Sequence, residues 1–109
     1  MVVVLFYVKR RPEAAGEEYK TTLARMLAIV SAMPGFLSVK EHVAADGDTV
    51  VIVKFESEAA LEAWRNHPEH RAAQSRGREL FYDAYHVEVC SVIRQYDFER
   101  PREAGRQAS

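Results

Sequence analysis

One cysteine in 109 residues, Cys90, has no partner for a disulfide inside the chain, so the sequence does not read as a secreted, disulfide-held scaffold. Charge of one sign is equally scarce. The 15 basic and 16 acidic residues give a net charge of −1, which supplies no sustained cationic face for phosphates and argues against nucleic acid as a partner. The apolar run Val2 to Val8 falls far below the ~18 residues that cross a bilayer, and no membrane partner is expected. That run also lacks the charged leader and cleavage site of an export signal, so a cytoplasmic location is expected. Glycine is thin, at five residues, and none of them builds a phosphate-cradling loop. No Ser-His-Asp or Cys-His arrangement can be placed, which removes the common nucleophilic hydrolases.

What is present is enough for one domain with a real core: 48% of the residues are hydrophobic. Val2 to Val8, rich in β-branched and aromatic residues and closed by Lys9-Arg10-Arg11-Pro12, predicts a strand buried on both faces. From about Glu13 to Met33 the residues Tyr19, Leu23, Met26, Leu27, Val30 and Met33 trace one stripe of a helix, which Pro34-Gly35 ends. Phe36 to Val43 and Thr49 to Phe55 predict a hairpin, joined through the turn-favouring Asp46-Gly47 pair. Ser57 is placed to cap a helix on which Leu61 and Trp64 share a face. Pro68 breaks that helix and starts another, with Ala72, Ala73 and Leu80 as its thin apolar stripe.

Tyr82 to Arg94 then reads as a strand of about 13 residues, more than twice the usual length. Tyr85, Val87, Val89 and Ile93 take one face, and His86, Glu88, Cys90, Val92 and Arg94 the other. Cys90 is read as a small buried hydrophobe, and His86, Glu88 and Arg94 as polar contacts between subunits. Residues 1–98 form the domain, and Glu99 to Ser109 is expected to be a disordered tail with nothing to bury. The order is β-α-β-β-α-β, an α+β, ferredoxin-like arrangement with an antiparallel sheet and helices on one face. One helical layer leaves the other face of an apolar sheet bare, so a homodimer packed sheet against sheet is expected.

Chemistry concentrates in Trp64-Arg65-Asn66-His67-Pro68-Glu69-His70. A helix broken at Pro68 aims one large aromatic and one or two imidazoles at the same small volume. Trp64 reads as a core aromatic that also walls a substrate cavity. His67 sits at the joint, as an N-cap-like residue or a substrate contact, and His70 lies one turn into the second helix. A histidine there suits proton transfer at neutral pH, since its ordinary pKa is ~6.5. Tyr82 and Tyr85 are placed at the cavity mouth. His67, Glu69 and His70 lack a third ligand at a recognisable spacing, so no metal site is assigned.

Met33-Pro34-Gly35-Phe36, the helix Ser57 through Trp64, His67-Pro68-Glu69-His70, Gly77-Arg78-Glu79-Leu80-Phe81-Tyr82 and Tyr85 together resemble the antibiotic biosynthesis monooxygenase family over roughly residues 2–98. The resemblance implies a dimeric α+β barrel and oxidation of small phenolic or quinol-like aromatics by oxygen, with no metal or flavin cofactor. Some relatives degrade haem with an asparagine, a tryptophan and a histidine. Here Trp64 matches the tryptophan, but the only asparagine, Asn66, lies beside the helix break and Gln74 stands ten residues after Trp64, so that constellation is not reproduced. On the oxygenase reading His70 is the catalytic base, Trp64, His67, Arg71, Tyr82 and Tyr85 contact the substrate, and Arg71 or a strand tyrosine balances the developing charge. The alternative is a non-catalytic dimer that uses the same cavity to bind a small hydrophobic molecule.

Overall fold

The structure, a computed structural model, describes residues 1–12 and 16–101. Four strands, β1 (Val2–Arg10), β2 (Phe36–Val43), β3 (Thr49–Phe55) and β4 (Tyr82–Ser91), form one antiparallel sheet in the order β2-β3-β1-β4. Three helices, α1 (Glu17–Ser31), α2 (Glu58–Arg65) and α3 (Pro68–Arg76), and a π-helical turn at Gly77–Phe81 complete the α+β, ferredoxin-like fold. Within the chain the sheet is open: β2 and β4 are free edges and no barrel closes.

Local signals account for the joints. At Gly35, φ is +83° and an added Cβ would stand 2.6 Å from the Ala60 Cβ, so only glycine lets β2 start this close beneath α2. The Ser57 hydroxyl accepts from the Ala60 N–H at 3.2 Å and caps α2. Pro68 opens α3 where its missing N–H is no loss. α1 is shorter than the expected span, and residues 13–15 at its expected start lie outside the described residues.

β4 is also shorter than expected, at ten residues, for a topological reason. Its partner β1 begins at Val2, and the Val92 N–H to Met1 carbonyl bond of 3.1 Å is the last that β1 can offer. The chain continues without regular structure, leaving Ile93, Tyr96 and Phe98 almost fully exposed. Most of the expected tail, residues 102–109, lies outside the described residues.

The core sits at one end of the sheet's helix-covered face, where Val2, Val30, Phe55, Leu61 and Trp64 pack together with Phe55 fully buried. On the opposite face the register lines up Tyr7 with Val50 and His86, Leu5 with Ile52 and Glu88, and Val3 with Lys54 and Cys90. Among the described residues no element covers this face, so β1 is buried on one side only and Cys90 is exposed, not buried as the sequence suggested. No helix among the described residues is long and apolar enough to cross a membrane.

Candidate functional site

Between the helices and the sheet lies a cavity of about 770 Å³, within the size range of small-molecule sites. Trp64, Asn66, His70, Arg71, Tyr82 and Tyr85 all line it. One wall is the pair at the helix break. The Trp64 indole and His70 imidazole are stacked, with ring centroids 4.2 Å apart and planes 22° from parallel. The break at Pro68 produces this: it sets His70 one turn after the joint, where its ring lies back over the last turn of α2.

His70 Nδ1 is buried without a hydrogen-bond partner. Buried to that degree, Nδ1 is out of a ligand's reach, so a substrate hydroxyl meets the ring at Nε2, which accepts when the proton is on Nδ1. Burial pushes the His70 pKa below its ordinary 6.5; the carbonyls of Trp64 and Arg65 oppose the shift, while the nearby His67 adds to it. The ring is therefore neutral at pH 7 and able to accept a proton.

His67 takes a different place. Its Nδ1 accepts from the Glu69 N–H at 3.1 Å and caps α3, and it does not line the cavity. Its ring centroid is 6.0 Å from that of Trp64, tilted and not stacked.

The opposite wall is aromatic. Phe6 stands 5.9 Å from Tyr82 and 5.4 Å from Tyr85 between ring centroids, and the two tyrosines lie 6.0 Å apart. Strict alternation along β4 would send residues 82 and 85 to opposite faces. A bulge resolves this: Lys9 pairs with Ala84 but Arg10 with Tyr82, so Asp83 is the extra residue and both tyrosines turn inward. Burial raises the Tyr82 pKa to about 12, so its hydroxyl stays a donor across the physiological range.

α3 departs from the apolar stripe read from its alanines. None of its residues is buried, and Leu80 in the following turn is exposed. Instead Arg71, Gln74 and Ser75, with Arg78 just beyond, face the cavity at spacings of three, one and three. This polar stripe at helical period was readable in the sequence, but an apolar search passes over it. Two ion pairs, Arg25 with Glu69 and Glu18 with Arg76, fasten α3 to α1 at either end. Among the described residues no three His, Cys, Asp or Glu side chains are grouped to hold a metal ion.

Comparison with known proteins agrees with this architecture. The sequence model of the family described as "Antibiotic biosynthesis monooxygenase" matches residues 1–76. The protein YqjZ of Bacillus subtilis is 38% identical over 81 residues, 74% of this chain and 71% of that protein. Among solved structures, Rv0793 from Mycobacterium tuberculosis superposes with a TM-score of 0.76 at 24% identity, covering 88% of this chain and 98% of that one. SnoaB, described as a cofactor-independent oxygenase from Streptomyces nogalater, superposes at 0.71 with 17% identity over 86% of this chain and 94% of its own.

Proposed function

Because this chain belongs to the antibiotic biosynthesis monooxygenase family, we propose that it is a cofactor-independent monooxygenase of small phenolic aromatics. The observation that carries the reading is the His70 imidazole, stacked on Trp64 in the cavity wall and kept neutral by burial. On this reading His70 accepts the proton of the substrate hydroxyl, and the electron-rich phenolate ring reduces oxygen at a free para carbon. A peroxide forms there and loses water. Phenol plus O₂ gives quinone plus H₂O: one oxygen atom enters the ring, the other leaves as water, and the substrate supplies all four electrons.

A magnitude shows what else the site must do. An ordinary phenol has a pKa of ~10 against ~6.5 for a free imidazole, a gap of roughly 5 kcal/mol at ~1.36 kcal/mol per unit, and burial of His70 widens it, so unassisted transfer is uphill. Neighbouring donors that stabilise the oxyanion offset that cost, and Arg71, which adjoins His70 and lines the cavity, is of the right kind. Trp64 contributes by excluding water.

The working assembly on this reading is a homodimer joined through the bare sheet faces, closing the open sheet into a barrel, and it acts in the cytoplasm without metal or cofactor. The test is oxygen uptake by the purified protein with a panel of phenols and quinols, with ¹⁸O₂ used to follow label into product. Uptake with one labelled oxygen in the quinone supports the reading. Binding of the same aromatics without uptake by any of them would favour the non-catalytic binding protein.

A further inference from the structure

The charge of the cavity lining is lopsided. Four arginines, at positions 10, 65, 71 and 78, face a single carboxylate, Glu41. Arg65 is paired with Glu62 at 2.9 Å, and Arg10 lies over the Tyr19 ring at 4.9 Å. Among the described residues, neither Arg71 nor Arg78 has a carboxylate within 4.0 Å. Arg71 adjoins His70 and is accounted for by the phenolate. Arg78 is not.

Arg78 is exposed at the cavity's rim and oriented there by two hydrogen bonds. Its Nη1 donates to the Tyr85 hydroxyl at 3.1 Å and its Nη2 to the Ser75 hydroxyl at 3.2 Å. Those bonds use two of the five N–H groups of a planar guanidinium, and each hydroxyl that accepts one keeps its own proton to donate. The result is a cluster of donors without an acceptor, which is the complement of a carboxylate.

Its position separates it from the base. Arg78 lies eight residue steps along the helix from His70, about 12 Å at 1.5 Å per residue. The sheet beneath agrees: Val4 packs against the cluster that holds Trp64, Val8 pairs with Tyr85, and the four residue steps from Val4 to Val8 span about 13 Å. One benzene ring is too short to reach both ends, and the cavity has room for more than one ring.

We infer that Arg78 is a specificity-determining residue, selecting aromatic substrates that carry a carboxylate at the end remote from the hydroxyl His70 deprotonates. This rests on the oxygenase cavity proposed above and names its substrate class. Titration calorimetry with 6-hydroxy-2-naphthoate, its neutral methyl ester and 2-naphthol tests it. The wild type should bind the acid at least tenfold more tightly than either neutral probe, and higher ionic strength should narrow the gap. In Arg78→Gln the preference should collapse to within about twofold, with Arg78→Lys keeping part of it as a charge without the fork. Equal affinity of the wild type for acid and neutral probes would overturn the inference while leaving the cavity intact as an aromatic site. So would a preference that survives Arg78→Gln. Should none of the three probes bind, the cavity reading falls and the inference falls with it. The wild-type comparison does not depend on either variant folding.

Discussion

His70 and Trp64 touch, yet their loss should read out differently. His70→Ala should lower turnover at least tenfold on a substrate that the wild type oxidises, since a general base typically contributes ~10²–10⁴-fold. Because burial depresses the imidazole pKa, the acid limb of kcat/KM should lie below pH 6.5 and vanish from the residual activity of the variant. Stability moves the same way. The unfolded chain, with an ordinary histidine, binds more protons between the depressed value and 6.5, so stability rises with pH across that window and is flat above it. The stability difference between wild type and His70→Ala in denaturant titrations should change with pH only across that window and be constant on either side of it. Trp64, 8% exposed and in the core cluster, should instead cost about 3–5 kcal/mol on replacement by alanine, with weaker substrate binding as a consequence. His67→Ala removes the cap of α3 and should cost about 0.5–2 kcal/mol while keeping turnover. If His67→Ala abolishes turnover and His70→Ala spares it, the base is at the helix joint.

The π-helical turn at Gly77–Phe81 links the polar stripe of α3 to the tyrosines of β4. Gly77 is buried and its backbone is ordinary, so its requirement is for space alone: an added Cβ would meet the Tyr82 ring at 2.5 Å. Gly77→Ala should therefore displace Tyr82, cost about 1–3 kcal/mol as overpacking does, and lower affinity for aromatics before it unfolds the protein. Unchanged melting and unchanged affinity would show that the ring gives way freely. This turn also marks how far the sequence could be read. Hydrophobic period gave the element order, Asp46-Gly47 the hairpin, and Pro68 the break that brings Trp64 and His70 together, because each is a local signal. The cap made by His67 was legible for the same reason, as the residue before Pro68, whereas the bulge at Asp83 and the placement of Arg78 on the cavity depend on pairing and packing across the fold. A strict period along β4 has no place for an extra residue, and alanines within α3 suggest an apolar stripe where the cavity takes the polar one.

For the molecule as a whole, the unresolved physical demand is the uncovered sheet face. Val3, Leu5 and Ile52 are half-buried there and Tyr7 is exposed, and leaving three such side chains wet forgoes roughly 1.5–3 kcal/mol each. A second copy meets that demand with the same face, as a two-fold assembly requires. Light scattering should accordingly find a mass twice 12.4 kDa at micromolar concentration, and a stable monomer would refute the sheet-to-sheet dimer. The segment after β4 divides this expectation into two truncations. Beyond Phe98 the one apolar side chain larger than alanine is the exposed Pro101, so ending the chain at Phe98 should leave stability within about 0.5 kcal/mol. Ending it at Ser91 removes Ile93, Tyr96 and Phe98, three large apolar groups left at least 80% exposed while the backbone that carries them continues out of the sheet. If those groups lie on the second copy, the shorter truncation leaves the dimer intact and the longer one weakens it, with melting becoming concentration-dependent at lower protein levels. A dimer equally tight in both truncations would mean that the sheet faces alone hold it.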